Sequence, residues 1–327
     1  MAARRQALED ALAELARLRD EPRTPAALAR LRAALGGRSS HLAAVAAEIA
    51  AAHELGELVP DLAAAFERLL VDPVRSDPAC AAKAAIADAL YRIGAPEVAC
   101  YLRGVRHVQL EPVWGGRADT ASALRGTCAL ALVRVNYHDA LTELAELLAD
   151  PEAAARRVAA QALAYSENPA AAPLLRLKAL CGDADAQVLG ECLLALLRVA
   201  PEASLEFVAR FLDRPDAEVA DAAALALGSA RLAGALPLLT AWWERTFDGE
   251  RRRSALLAIA LLKHDDALAY LVAHVADSAP VHARAALDAL AVYRHDPRLR
   301  AQVLAAVEAR ADAGLRRAFD EAWDGKR

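Results

Sequence analysis

Three histidines are each followed directly by an aspartate: His138-Asp139, His264-Asp265 and His295-Asp296. An imidazole beside a carboxylate is the chemistry of metal ligation or proton transfer. A metal needs three or four converging ligands, however. All three pairs fall between two helix-forming segments, where an aspartate can accept from the free N–H groups of the next helix. They are therefore expected to cap helices. A second concentration lies at 107–119, where His107, Glu111, Arg117 and Asp119 surround Trp114. Pro112 and Gly115-Gly116 exclude a continuous helix, so Trp114 stands on a loop. An aromatic flanked by opposite charges has the composition of a binding hot spot. Equally, the indole could fold back over a packing junction, with Asp119 or Thr120 capping the next helix. A third set is Trp242-Trp243-Glu244-Arg245 with Tyr270 and His274 downstream. Adjacent helical residues point about 100° apart. One tryptophan is thus expected in the core and the other partly exposed as a groove anchor. The partner-binding candidates are His107, Glu111, Trp114, Arg117, Trp242, Trp243, Arg245, Tyr270 and His274. No catalytic residue, cofactor or metal is assigned. There is no Gly-rich phosphate loop after a strand and no Gly-x-Ser-x-Gly elbow. A catalytic site built from scattered residues stays open.

The elements that carry these residues repeat. Ala89–Ile93, Ala131–Val135, Ala162–Ser166, Ala195–Val199 and Ala226–Ala230 are variants of one phrase built on Ala-Leu, with looser copies around Leu261 and Leu290. Taking the leucine as anchor, Leu132, Leu163, Leu196, Leu227, Leu261 and Leu290 are spaced by 31, 33, 31, 34 and 29 residues. A period of this size means stacked supersecondary units rather than one closed core. Each unit reads as two helices: for example Glu152–Ser166, the turn Asn168-Pro169, and Ala170–Leu180. The step from Leu90 to Leu132 is longer, 42 residues, and the excess is the segment 107–119. Lys83, Arg125 and Arg156 each sit seven residues before their anchor. A repeated base at a fixed position is expected to pair with an acid in a neighbouring turn and so serve stacking.

The 327 residues carry a formal net charge of −5, and 56% are hydrophobic but only 5% aromatic. Alanine supplies much of that excess, which favours helices and their close approach. Runs of alternating β-branched residues are missing, so strands find little support. An acidic balance without a basic stripe speaks against nucleic acid. Scarce lysine beside abundant arginine and alanine fits a GC-rich bacterial genome. Five cysteines, an odd number with no close pair, do not form a stapled secreted scaffold, and each is expected to be a small buried hydrophobe. Acidic residues break up the N-terminal apolar pattern, so no signal peptide is read there, and no long apolar run suggests a membrane span. The cytoplasm is the expected compartment.

The repeated first helix resembles the short HEAT repeats of phycobilisome lyases, whose form is close to Asp-x-x-Val-Arg-x-x-Ala-x-x-Ala-Leu-Gly. The echoes are Asp119…Leu124-Arg125…Ala131-Leu132, Ala155-Arg156…Ala162-Leu163 and Asp216…Val219…Ala226-Leu227-Gly228. Tetratricopeptide repeats fit less well, because their Trp-Leu-Gly-Tyr signature is absent. The resemblance implies an all-α, right-handed alpha-alpha superhelix, a HEAT-like alpha-solenoid. Its expected parts are an N-terminal cap with degenerate repeats at 1–77, an array at 78–314 interrupted at 107–119, and a capping helix at 315–327. It also implies a non-catalytic scaffold that binds a protein or peptide in a concave groove. The alternative is an enzyme or phycobilin-lyase-type subunit with a site between the inserted loop and the groove. HEAT-like deoxyhypusine hydroxylases hold iron with several His-Glu pairs, whereas this chain has only His53-Glu54. HEAT-like DNA glycosylases line their groove with a basic field that this chain lacks. The oligomeric state is not legible.

Overall fold

A computed structural model of the protein describes residues 2–324. Met1 of the expected first helix (Met1–Arg19) and residues 325–327 of the expected cap at 315–327 lie outside them. The described residues form twenty helices and one two-stranded hairpin, grouped in two compact units that meet in sequence at Ser166 and Glu167.

The first unit runs through α1 (Ala2–Arg17), α2 (Pro25–Gly36), α3 (Ser40–Ala52), α4 (Val59–Leu69), the single-turn α5 (Pro73–Ser76), α6 (Ala81–Ile93) and α7 (Val98–Val105). A hairpin follows, β1 (Leu110–Val113) and β2 (Gly116–Asp119), then α8 (Ser122–Arg134), α9 (Ala140–Leu147) and α10 (Ala153–Tyr165). The second unit contains α11 (Ala172–Cys181), α12 (Ala186–Val199), α13 (Pro201–Ala209), α14 (Ala217–Ala230), α15 (Ala235–Arg245), α16 (Gly249–Leu261), α17 (Asp265–Asp277), α18 (Pro280–Leu290), α19 (Pro297–Arg310) and α20 (Ala313–Asp324).

Within each unit the first helix of a pair packs on the first helix of the next: α6 on α8 and α8 on α10, then α12 on α14, α14 on α16 and α16 on α18. The sequence reason is a four-position burial code. Ile86/Ala87/Ala89/Leu90 on α6 is matched by Cys128/Ala129/Ala131/Leu132 on α8 and by Ala159/Ala160/Ala162/Leu163 on α10. In the second unit the same positions are Cys192/Leu193/Ala195/Leu196, Ala223/Ala224/Ala226/Leu227, Ala255/Leu256/Ala258/Ile259 and Ala286/Leu287/Ala289/Leu290, all buried. Alanine always precedes the anchor. Only a side chain that small lets successive helices approach closely while the anchor beside it contributes about 1.5–3 kcal/mol by burial.

This code corrects the expected anchor on α16. Leu261 is only half-buried, and Ile259 fills the anchor place. The step from Leu227 is therefore shorter, and the step to Leu290 longer, than the Ala-Leu text suggests. Close approach reaches its limit at Gly228, where an added Cβ would lie 2.3 Å from the Ala258 carbonyl oxygen. Gly228→Ala should lower stability by roughly 1–3 kcal/mol, because the obstacle is backbone and cannot rotate away. A shift in urea midpoint at unchanged helicity is the expected readout.

Of the three His-Asp pairs only Asp296 caps its helix, accepting from Arg298 N at 2.9 Å and Leu299 N at 3.2 Å. Asp139 sits at the cap position of α9 without making the bond. Asp265 lies one residue too late, inside α17. Capping is done elsewhere by Thr24, Ser39, Asp185, Asp216 and Asp248. The cysteines also divide: Cys80, Cys100, Cys128 and Cys192 are buried as expected, but Cys181 is exposed at the end of α11. Burial pushes the Cys80 and Cys192 thiols up to about 12 and Cys100 to about 11, which keeps them unreactive.

Candidate functional sites

The segment 107–119 is more ordered than the expected loop. Leu110 pairs with Asp119, Glu111 with Ala118, Pro112 with Arg117 and Val113 with Gly116 in an antiparallel hairpin. Trp114 and Gly115 form its two-residue turn, and Gly115 takes the positive φ (+88°) such a turn requires at its second place. The strands were hidden because Pro112 and two glycines read as breakers. Pro112 belongs to a pair whose backbone groups point outward, where a missing N–H is harmless.

The base of the hairpin is welded to its surroundings. Glu111 Oε1 accepts from Ala79 N at 2.7 Å, Gln109 Nε2 at 2.6 Å and Thr120 Oγ1 at 3.0 Å. Buried Gln109 also donates to the Asp77 carbonyl at 2.8 Å. Asp119 Oδ1 accepts from Gln109 N at 3.0 Å and Ala121 N at 2.9 Å, while Oδ2 receives Arg125 Nη1 at 2.6 Å. His107 Nε2 stands 3.2 Å from Gln109 Oε1, and its carbonyl accepts from Arg125. Hydrogen bonds from Gln109, Thr120 and Ala79 hold the Glu111 carboxyl below its ordinary pKa despite some desolvation. Desolvation acts upward on Asp119 too, but the donors of Ala121, Gln109 and Arg125 outweigh it and its pKa is lowered. Burial lowers His107. Carboxylates held ionised in this way fix backbone rather than shuttle protons.

The tip is the opposite. Trp114 is 104% exposed, and Val113 beside it is exposed as well. Arg117 is also exposed, donating only a 3.3 Å bond to the Leu110 carbonyl. His107, Glu111 and Asp119 thus gather at the base, while Trp114 and Arg117 project.

In the ladder of bases, Lys83 and Arg125 pair with acids as their spacing predicts. Lys83 Nζ meets Asp77 Oδ2 at 2.9 Å with both side chains fully buried. Arg125 bridges Asp119 and the next repeat, with Nη2 2.9 Å from Asp150 Oδ1. Arg156 donates to the carbonyls of Asp150 and Pro151, each at 2.8 Å. Arg252 is a fourth rung, seven residues before Ile259, and donates through Nε to the Thr246 carbonyl at 2.6 Å. The misplaced anchor at Leu261 had concealed it. The acceptor lies six residues before the base in all four rungs.

The third candidate set, in the second unit, splits as expected for adjacent helical residues. Trp242 is 1% exposed and belongs to the core, so it offers no binding surface. Trp243 is half-buried. Its ring meets His274 edge-on at 4.6 Å, and His274 lies against Tyr270 at 4.3 Å. Arg245 turns away to Asp213 with a closest approach of 3.0 Å. Two partners escaped the sequence reading: His282, whose ring is 5.5 Å from Trp243, and Arg252, stacked over it at 5.0 Å. Among the described residues, no group of three or more His, Cys, Asp or Glu side chains is placed to hold a metal ion. Nor is any helix long and apolar enough to cross a membrane.

No curated protein matches the chain. Among solved structures it is similar to the complex of CpcE and CpcF of phycocyanin lyase from Nostoc sp. PCC7120, at 20% identity and a TM-score of 0.38, over 74% of this chain and 94% of that one. It is similar to an engineered protein at 19% identity and a TM-score of 0.37, over 90% and 87%. It is similar to human deoxyhypusine hydroxylase in complex with glycerol at 20% identity and a TM-score of 0.29, over 87% and 90%. Scores and identities this low place no chemistry on this chain. The HEAT-repeat family profile matches residues 175–260, a segment that runs from within α11 through α15 and most of α16. The burial code of those helices recurs on α6, α8, α10 and α18. Residues 175–260 therefore carry HEAT repeats, and the helices on either side of them repeat the same buried pattern.

Proposed function

We propose that the protein is a binding adaptor that engages a protein partner through the tip of the 110–119 hairpin. In this reading 78–314 is the repeat array, 1–77 and the helix from 315 close its ends, and the cytoplasm is where it works. The observation that carries the reading is Trp114. A fully exposed indole on a two-residue turn covers nothing in its own chain, so the packing alternative finds no contact to stand on. The hydrogen-bonded base adds to this. A finger fixed in place loses little freedom on docking, which favours affinity. Exposed Val113 beside Trp114, with Arg117 at the edge, suits an apolar pocket with an acidic rim.

Trp114→Ala should leave helicity unchanged and stability within about 0.5 kcal/mol, because only an exposed side chain is lost. In pull-downs from the native host, wild type should retain a protein that the variant does not. Retrieval of the same proteins by both, or a large fall in melting temperature, would remove the hairpin tip from the binding role.

A further inference from the structure

In the first unit, Arg125 of α8 ties its helix to the next repeat by donating to a carboxylate, Asp150. Arg252 holds the same ladder position on α16, yet its partner in the next repeat is an imidazole. Arg252 Nη1 lies 2.7 Å from His282 Nε2 at the start of α18. A guanidinium only donates, so His282 must present a lone pair on Nε2 and carry its proton on Nδ1. The same guanidinium holds the Thr246 carbonyl at the end of α15 and stands 5.0 Å from the Trp243 ring and 5.7 Å from the Phe247 ring. Trp243 in turn touches His274 of α17 and His282 of α18. One arginine joins α16 to α18 and to the end of α15, Trp243 adds α17, and the joint is intact only while His282 is neutral.

We propose that this junction is a proton-operated joint: protonation of His282 removes the acceptor of Arg252, sets two cations at hydrogen-bond distance, and detaches the start of α18 from α16 and from Trp243. The charged and titratable groups that face His282 are Arg252 from α16 and His274 from α17. Tyr270 lies behind His274 and feels Glu244 of α15. His274 Nδ1, 3.1 Å from the Tyr270 carbonyl, donates there. α20 also packs on α18, but its Arg316 is taken by Glu308 and Asp320. On α18 itself Arg284 pairs with Asp288. Among the described residues, no carboxylate offsets a charge on His282.

Burial, then Arg252 and His274, lower the pKa of His282 from its ordinary value. A depressed imidazole contributes stability that is complete above its unfolded pKa, about 6.5, and is lost as pH falls from there toward the folded value. The joint therefore weakens on mild acidification.

The test is an NMR titration of the histidine rings in the full chain, run beside tryptophan emission. His282 is assigned by its through-space contact with the Trp243 ring and by its loss in His282→Gln. In that variant the carboxamide oxygen still accepts from Arg252 but cannot titrate. His282 should titrate below pH 6.5, and wild-type emission should change with the same midpoint. Both His282→Gln and Trp243→Phe should lack that emission change. Titration of His282 at 6.5 or above, or an emission change that persists in His282→Gln, overturns the proposal. The wild-type titration decides the matter even if a variant fails to fold.

Discussion

Asp77→Ala should be among the most destabilising single substitutions in the protein, costing about 3–5 kcal/mol. Asp77 Oδ1 accepts from Ala82 N, and Oδ2 accepts from Lys83 N and Lys83 Nζ, all at 2.9 Å. Removing the carboxylate strands an ammonium group that is fully buried. It also strips the first turn of α6 of its cap, an effect of about 1 kcal/mol in its own right. A third consequence is backbone strain. Ala79 and Cys80 both occupy the left-handed region, with φ of +60° and +56°. Such residues persist only where their neighbours over-determine them. Here the clamps are Asp77 on one side and the Glu111 bond to Ala79 N on the other. Asp77→Asn should cost less, since its amide oxygen can still accept from backbone. Asp77→Asn with Lys83→Met should recover much of the loss by removing the stranded charge. Urea midpoints across the set provide the check. A loss under about 1 kcal/mol for Asp77→Ala would mean that Lys83 reaches water and that the pair is not buried in solution.

How far the sequence reveals all this depends on whether the signal is periodic. The helix pairs are legible because Ala-Leu recurs with a spacing that a helix stack imposes. The ladder is legible for the same reason: Lys83, Arg125 and Arg156 share an offset from their anchors. Where the text of the repeat degenerates, the reading slips. Ala260-Leu261 looks like the phrase, but Ala258-Ile259 occupies its place in the stack. That two-residue slip removed Arg252 from the ladder and, with it, the reason to look at His282. Aligning the repeats on all four buried positions instead of on Ala-Leu would have found both.

The candidate binding site was legible only in part. An insertion that breaks the rhythm and carries a tryptophan stands out by subtraction, and Trp114 is indeed exposed. The hairpin was not readable, because an isolated ten-residue ribbon with Pro112 and two glycines has almost no strand propensity. Its strands exist because Gln109, Glu111 and Asp119 bind the base to α8 and to the turn between Asp77 and Cys80. Those contacts are between residues far apart in sequence, and a one-dimensional reading has no access to them. The same limit applies to the His-Asp pairs. Whether an aspartate caps depends on where the helix begins to within one residue and on the rotamer it takes there, and only Asp296 meets both conditions.

Arg125→Met is expected to cost a similar 3–5 kcal/mol, with a distinctive pH dependence. Arg125 is 2% exposed and lies between Asp119 at 7% and Asp150 at 8%. Without it, two buried carboxylates face each other across an apolar thioether. Desolvation and mutual repulsion should then raise their pKa values above the unfolded value of about 3.9. In the wild type Asp119 is lowered instead, so it contributes stability above that value, and this contribution is lost as pH falls below it. The variant has the opposite sign. Its penalty is complete at neutral pH and is relieved as pH falls through the raised values. The gap between variant and wild type should therefore narrow from pH 7 toward pH 5. Replacing both acids with asparagine in the Arg125→Met background should recover most of the loss at neutral pH. Asparagine keeps acceptors for Gln109 N, Ala121 N and Glu152 N while removing the charges. Amide exchange should also quicken at Gln109 and Ala121 in the single variant, because Asp119 anchors the hairpin base. If the gap between variant and wild type stays constant with pH, the lost stability belongs to packing of the guanidinium, and the charge bridge between repeats is not what holds α8 to the following turn.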